Sequence, residues 1–180
     1  MEFVSPYMHE VAEHRKSVQK KIAKVTTEFI GNRVIGFALD IGERSKFTEF
    51  LEKHFRTKIA NTNIDLDVDS LTGKYDTIFC FEVIEHLFNP LNIMLQAHKI
   101  LKDDGRLYLS TPKAKPHFLW WEYHFHEFHK RELLKLIKRA GFEVVKIEYH
   151  RVHPLWLGFT GFRPFLRMLM QRKCLVELRK

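Results

Sequence analysis

Residues 75–112, YDTIFCFEVIEHLFNPLNIMLQAHKILKDDGRLYLSTP, constrain the fold more than any other part of the chain. An apolar run over 77–81 has the length of a buried strand and ends in Glu82, Glu85 and His86. Asn89-Pro90 then opens a helix, because Asn caps free amides and Pro suits the first helical position. Leu91, Met94, Leu95 and His98 recur at helical spacing. Asp104-Gly105 reads as a turn and 106–110 as a second apolar strand. Strand, helix and strand in that order make a parallel crossover unit. Its polar residues stand where the first strand ends, the edge at which open α/β sheets bind ligands.

The same reading extends outward. Residues 6 to 30 form a helix with Val11, Val18, Ile22 and Val25 on one side. Residues 34–41 are a strand ending in Asp40-Ile41-Gly42, and Ser45 caps a helix whose face carries Phe47, Phe50, Leu51 and His54. Residues 58–64 are a second strand, followed by Asp65, Asp67 and Asp69 in an acidic loop or short strand. Beyond Pro112 comes the aromatic segment KAKPHFLWWEYHFHEFH. A helix follows with Leu133, Leu136, Ile137 and Ala140 on one face; His129 and Glu132 sit at its start and Gly141 at its end. Residues 142–149 and 173–179 are the last strands, and no internal repeat appears.

The 180 residues fit one domain, 1–180, large enough to bury a core. It divides into an N-terminal helical region (1–33), a lid or acceptor segment (113–129) and an aromatic insertion (153–172) before the last strand. No run of about 18 apolar residues exists, so no membrane span is expected. The first residues, MEFVSPYMHEVAEHRK, lack the apolar centre of a signal peptide. Cys80 and Cys174 lie in core strands, which fits free thiols and a reducing cytoplasm. The net charge of +8 is spread over several segments, which fits solvated faces better than a nucleic-acid partner.

Tyr75-Asp76, Glu82 to Leu87 and Leu101 to Pro112 together resemble the class I S-adenosylmethionine-dependent methyltransferases. In that family a strand begins after "FD", ends in "x-E-V-I/L-E-H-L", and leads through a helix to "L-K-x-G-G-x-L-x-I-S-x-P". The resemblance covers roughly 34–142 well and the two ends loosely. It implies an α/β, Rossmann-like fold with a mostly parallel sheet, an antiparallel C-terminal strand pair and helices on both faces. It also implies S-adenosylmethionine as cofactor and a small-molecule or glycan-like acceptor. The rival, from another class, is a non-catalytic domain of the same fold that binds a partner or a membrane.

The resemblance carries over to particular positions. Leu39-Asp40-Ile41-Gly42-Glu43-Arg44-Ser45 matches "L-D-x-G-x-G-x-G", so Asp40, Gly42 and Glu43 are expected at the methionine end of the cofactor. Arg44 and Lys46 stand where the second and third glycines belong, and Arg44 either swings outward or fills the pocket. Only 36 residues (76 − 40) separate Asp40 from Asp76, leaving little room for a helix after Asn63. The acids that grip the adenosine then fall near Asn61 to Asp69, with Asp65 or Asp67 the candidates; an acidic surface turn is the other reading. Phe81 and Glu82 wall the cleft. His86, His124 and His126 are the candidates nearest the acceptor, and a purely structural role for His86 is the alternative. The frame "H-x-x-x-F-[ST]-x-x-x-L…GF" accounts for His124, Phe128, His129, Leu133 and Gly141-Phe142. No metal is expected at His124, His126, Glu127 and His129, because their spacing is not a known ligand pattern. Trp120, Trp121 and Tyr123 either pack a lid or stack on the acceptor. Residues 154–170, rich in Trp, Phe and Leu with Arg163 and Arg167, either pack as an insertion or in a homodimer, or touch a membrane surface. The expected place is the cytoplasm, either free or peripheral to the membrane.

Overall fold

The computed structural model describes residues 6–153 and 161–180. The elements run α1 (Pro6–Ile30), β1 (Ala38–Asp40), α2 (Lys46–Phe55), β2 (Ile59–Asn61), β3 (Tyr75–Phe81), α3 (Pro90–Ile100), β4 (Leu101–Pro112), α4 (Lys130–Arg139), β5 (Glu143–His150), α5 (Phe162–Met170) and β6 (Lys173–Arg179). The six strands form one sheet in the order β2-β1-β3-β4-β6-β5. β1 pairs in parallel with β2 and β3, and β3 with β4. β6 runs antiparallel to both neighbours. This is the Rossmann-like sheet with the antiparallel C-terminal pair.

The apolar run of β3 shows why helices cover both faces. Side chains alternate across a strand. Ile78 and Cys80 join Leu107, Leu109, Ile93, Met94, Leu133 and Ile137 under α3 and α4. Phe79 and Phe81 face the other way, toward Phe29, Ile30, Leu51 and Tyr108 under α1 and α2. A central parallel strand buried on both faces carries a continuous apolar run, here Ile78 to Phe81. Cys80 and Cys174 are free and buried.

Local chemistry sets the helix starts. Ser45 Oγ accepts from the Thr48 amide at 3.1 Å, and Thr48 Oγ1 accepts from the Ser45 amide at 3.2 Å. That reciprocal pair is a capping box with Thr as the partner. Asn89 Oδ1 accepts from the Asn92 amide with Pro90 at the first helical position. Glu132 Oε2 accepts from the His129 amide at the start of α4. Between β2 and β3 no helix forms among the described residues, as the short spacing implied.

Three expectations about strands need correction. β1 occupies 38–40 rather than 34–41. Gly36 turns the backbone left-handed at φ 64°, and Val34 is 96% exposed, so the apolar lead-in has no strand to pair with. β2 stops at Asn61, where Thr62 turns in to accept from the Gly42 amide at 2.7 Å. Asp104-Gly105 is not a turn between helix and strand. It lies in a bulge inside β4, whose pairing jumps from Tyr75–Leu101 to Thr77–Arg106. Among the described residues no helix is long and apolar enough to cross a membrane. Of the aromatic stretch 154–170, residues 154–160 lie outside the described residues.

Candidate functional site

A cavity of about 680 Å³ opens above the C-terminal ends of β1 and β3, with Lys20, Ile22 and Lys24 of α1 on one side. Asp40, Gly42 and Glu43 reach it from β1, Phe81 and Glu82 from β3, Lys46 and Phe47 from α2, and Lys173 from the start of β6. The five expected residues at the β1 and β3 tips therefore meet around one space.

Asp40 is 8% exposed. Burial lifts its carboxyl from 3.8 to about 6, against hydrogen bonds from Thr48 and Asn61. Thr48 Oγ1 donates to Asp40 Oδ2 at 2.6 Å, so the α2 cap also fixes this carboxylate. Gly42 holds φ 125°, and a Cβ there would meet no atom within 4 Å. Its backbone conformation, rather than crowding within the protein, demands glycine. Arg44 leaves the cavity and meets Glu52 Oε2 at 2.5 Å on the flank of α2. That bond, with the Ile59 amide on the other oxygen, pulls the Glu52 carboxyl down to about 2. Asn61 Oδ1, at the end of β2, is buried without a hydrogen-bond partner.

At the β3 tip, Glu82 takes a left-handed conformation, φ 55°, unusual outside glycine. Its Oε1 accepts from Ser110 Oγ at 2.8 Å and lies 3.2 Å from Lys173 Nζ. Burial alone would raise this carboxyl; the Lys173 ammonium, Ser110 and His124 outweigh it and hold it below its usual value.

The histidines separate into a pair and an outlier. His86 and His124 stand edge to face, ring centroids 4.8 Å apart. His86 Nδ1 is 2.9 Å from the Tyr123 carbonyl, and His124 Nδ1 is 3.1 Å from Glu127 Oε1. Burial, the His86 charge and Lys115 lower the His124 imidazole below its ordinary value despite the bond to Glu127. His124 is therefore neutral at pH 7 and can take a proton. His126 stacks on Phe128 instead, with a buried Nε2 that has no hydrogen-bond partner among the described residues. None of the three lines the cavity itself, although the His124 charge reaches Glu82.

Glu85 is fully buried, and burial first, then the Glu82 charge, lift its carboxyl well above the usual range. Glu85, His86 and His124 each bring one donor atom within 4.8 Å of the others. Among the described residues both Glu85 carboxyl oxygens are buried without a hydrogen-bond partner.

Asp65 and Asp67 are not in the cavity lining. Asp67 accepts from the amides of Phe88 and Asn89 and so ties its loop to the start of α3; Asp65 accepts from the Asp67 amide. Residue-by-residue reading missed Lys115, whose ammonium pairs with Glu127 with both side chains fully buried. It also missed Lys173. The sole sequence signal for Lys173 was a lysine just before the apolar run Cys174-Leu175-Val176.

Comparison with known proteins agrees with this geometry. A methyltransferase-domain family model matches residues 8–147. A ubiquinone biosynthesis O-methyltransferase from Glaesserella parasuis serovar 5 (strain SH0165) is 35% identical over 104 residues, 49% of this chain and 44% of that protein. The chain thus spans less than half the length of this curated relative. A SAM-dependent methyltransferase from Archaeoglobus fulgidus superposes with a TM-score of 0.66 at 13% identity, covering 98% of this chain and 100% of the other. The 1,6-didemethyltoxoflavin-N1-methyltransferase of Burkholderia thailandensis, solved with its substrate and S-adenosylhomocysteine, gives 0.61 at 14% identity over 100% and 92%. With the family model spanning most of the sheet and both strand tips that wall the cavity, the chain belongs to the class I S-adenosylmethionine-dependent methyltransferase family.

Proposed function

We propose that this protein transfers a methyl group from S-adenosylmethionine to an oxygen of a small-molecule acceptor. The carrying observation is the cavity at the β1 and β3 tips, where Asp40, Gly42, Glu43, Phe81 and Glu82 converge beneath α1. Open α/β sheets bind ligands at this edge. Bound S-adenosylmethionine would supply an electrophilic methyl on a positively charged sulfur. Asp40 receives the ammonium of the methionine end, and Gly42, lacking Cβ, leaves room for it. The unpartnered Asn61 Oδ1 suits a ribose hydroxyl at the end of β2. Phe81 and Glu82 wall the cleft and hold the acceptor in line with the methyl group, since alignment supplies much of the rate in such a displacement. A base for the acceptor proton would be His124, with His86 beside it, reached through water because neither lines the cavity. An oxygen acceptor is supported by the curated relative, which is named an O-methyltransferase.

The rival reading, a fold that has lost its cofactor, drew its force from Arg44. The Arg44–Glu52 pair removes that obstacle from the cavity. Calorimetry with S-adenosylhomocysteine tests the proposal. One-to-one binding at micromolar affinity is expected; no binding at millimolar concentration overturns it. A peripheral membrane contact is a second reading, favoured by α5, where Phe162 is 77% exposed and Phe165 and Leu169 are 41% exposed. Flotation with anionic liposomes tests it: recovery of the protein with lipid supports it, and recovery only in the aqueous fraction refutes it.

A further inference from the structure

Lys173 opens β6, pairing with Pro112 of β4 and His150 of β5. Its backbone is two strands beyond β3, yet its side chain lines the same cavity as Asp40 and Phe81. It is 5% exposed. An ammonium has three N–H donors, and burying it is costly unless they are matched. Among the described residues its ion-pair partner is one oxygen, Glu82 Oε1 at 3.2 Å, and Ser110 already donates to that oxygen. The buried Lys115–Glu127 pair differs, since both of its partners are fully buried and it stands outside the cavity lining. The Lys173 partner is also held at a cost. Glu82 adopts φ 55°, a left-handed conformation that strains a non-glycine residue. Strained backbone, a shared carboxylate and a buried ammonium whose ion-pair partner among the described residues is that one shared oxygen all meet at the cavity.

We propose that Lys173 is the binding group for the acceptor's ionising oxygen and that the acceptor class is therefore a phenol or similarly acidic enol bound as its anion. The inference rests on the methyltransferase reading and deepens it. The residues proposed for the methionine end sit at the β1 tip, whereas Lys173 reaches the cavity from β6, which leaves its donors for the acceptor. An ammonium a few ångströms from a phenolic oxygen favours the charged form, lowering the pH at which it ionises by about 1–3. The O–H bond breaks, its proton passes through water to His124 outside the cavity lining, and the resulting anion attacks the methyl carbon as the carbon–sulfur bond breaks. Anion and sulfonium cancel, leaving a neutral ether and a neutral thioether. Glu82 keeps the ammonium in place until the acceptor enters.

The probe is 4-nitrocatechol, whose absorbance reports its own ionisation. It is titrated against the full chain saturated with S-adenosylhomocysteine, for wild type, Lys173→Met and Lys173→Arg. The wild type should bind the anion and lower the pH at which the probe ionises by at least one unit. Lys173→Met should lose that shift, and Lys173→Arg should keep most of it. Affinity for S-adenosylhomocysteine should stay within about threefold in all three, which also shows that each variant folds. An unshifted or unbound probe in the wild type overturns the proposal, as does an equal shift in Lys173→Met. A tenfold loss of S-adenosylhomocysteine affinity with the probe unaffected would place Lys173 on the methionine carboxylate and also overturn it. Failure of every form to bind S-adenosylhomocysteine would mark the failure of the methyltransferase reading itself.

Discussion

Asp40→Asn should make the protein more stable at neutral pH while weakening its hold on the cofactor. In the folded chain the carboxyl titrates near 6, and in the unfolded chain near 3.8. Between those values the folded form keeps a proton that the unfolded form has released. The contribution to stability is therefore complete below about pH 4 and is lost as pH rises to about 6. The loss is about 1.4 kcal/mol per pH unit crossed, some 3 kcal/mol in all. Above that pH an ionised carboxylate stays buried at constant cost. Asparagine has the same shape and no charge. Thr48 Oγ1 accepts from the Ser45 amide, so its own proton stays directed at residue 40 and the Asn oxygen can receive it. Urea unfolding from pH 4 to 7.5 should show Asp40→Asn gaining up to about 3 kcal/mol over wild type at pH 7, with the gap closing toward pH 4. A gap independent of pH, or a variant less stable at pH 7, refutes the reasoning. Wild-type affinity for S-adenosylhomocysteine should fall about tenfold per pH unit below 6, because its ammonium needs the ionised carboxylate. The Asn variant should bind weakly and without that slope. Stability gained and binding lost together mark a residue kept for its ligand.

Three further outcomes follow from the contacts. Arg44→Gly should leave S-adenosylhomocysteine affinity within about threefold by calorimetry, since Arg44 is spent on Glu52 outside the cavity; a tenfold change either way would put Arg44 in the site. Lys115→Met leaves the Glu127 carboxylate buried without its ammonium and should cost about 3–5 kcal/mol in urea unfolding, with much of it recovered in Lys115→Met/Glu127→Leu. Asp67→Ala removes the acceptor for the Phe88 and Asn89 amides and should cost about 1 kcal/mol with cofactor affinity intact; a drop in affinity would return Asp67 to the adenosine site.

What was legible in the sequence was what local chemistry decides. Asn89-Pro90, Ser45 and Glu132 start helices through contacts with residues three positions away, so their signals survive without tertiary context. The β3 run and the strand tips at Asp40 and Phe81 were legible for a related reason, since the connection order fixes which strand ends share an edge. Strand lengths were not. Apolarity at Val34 says nothing about a missing neighbour, and Asp104-Gly105 has turn chemistry that β4 absorbs as a bulge. The tie from Asp67 to α3 was hidden because its partners, the amides of Phe88 and Asn89, are about twenty residues away. Lys173 was invisible for the same reason on a larger scale. Only the insertion of β6 beside β4 brings it to Glu82, some ninety positions earlier in the chain.

The two missing glycines make the same point in reverse. Glycine is needed where φ is positive or where a Cβ would collide. Of positions 42, 44 and 46, only Gly42 is left-handed. Ser45 is extended at φ −127°, ψ 165°, and Lys46 is the first residue of α2. A side chain at 44 or 46 thus imposes no left-handed backbone strain, and space alone remains at issue. Glu52 draws Arg44 aside, whereas Lys46 lines the cavity. Lys46, not Arg44, is therefore the substitution that reshapes the site. Its ammonium sits at the N-terminus of α2, where the exposed backbone amides already carry partial positive charge. An anionic group entering this mouth meets both together, so a charged side chain can take over an attraction that a glycine loop supplies through its backbone alone.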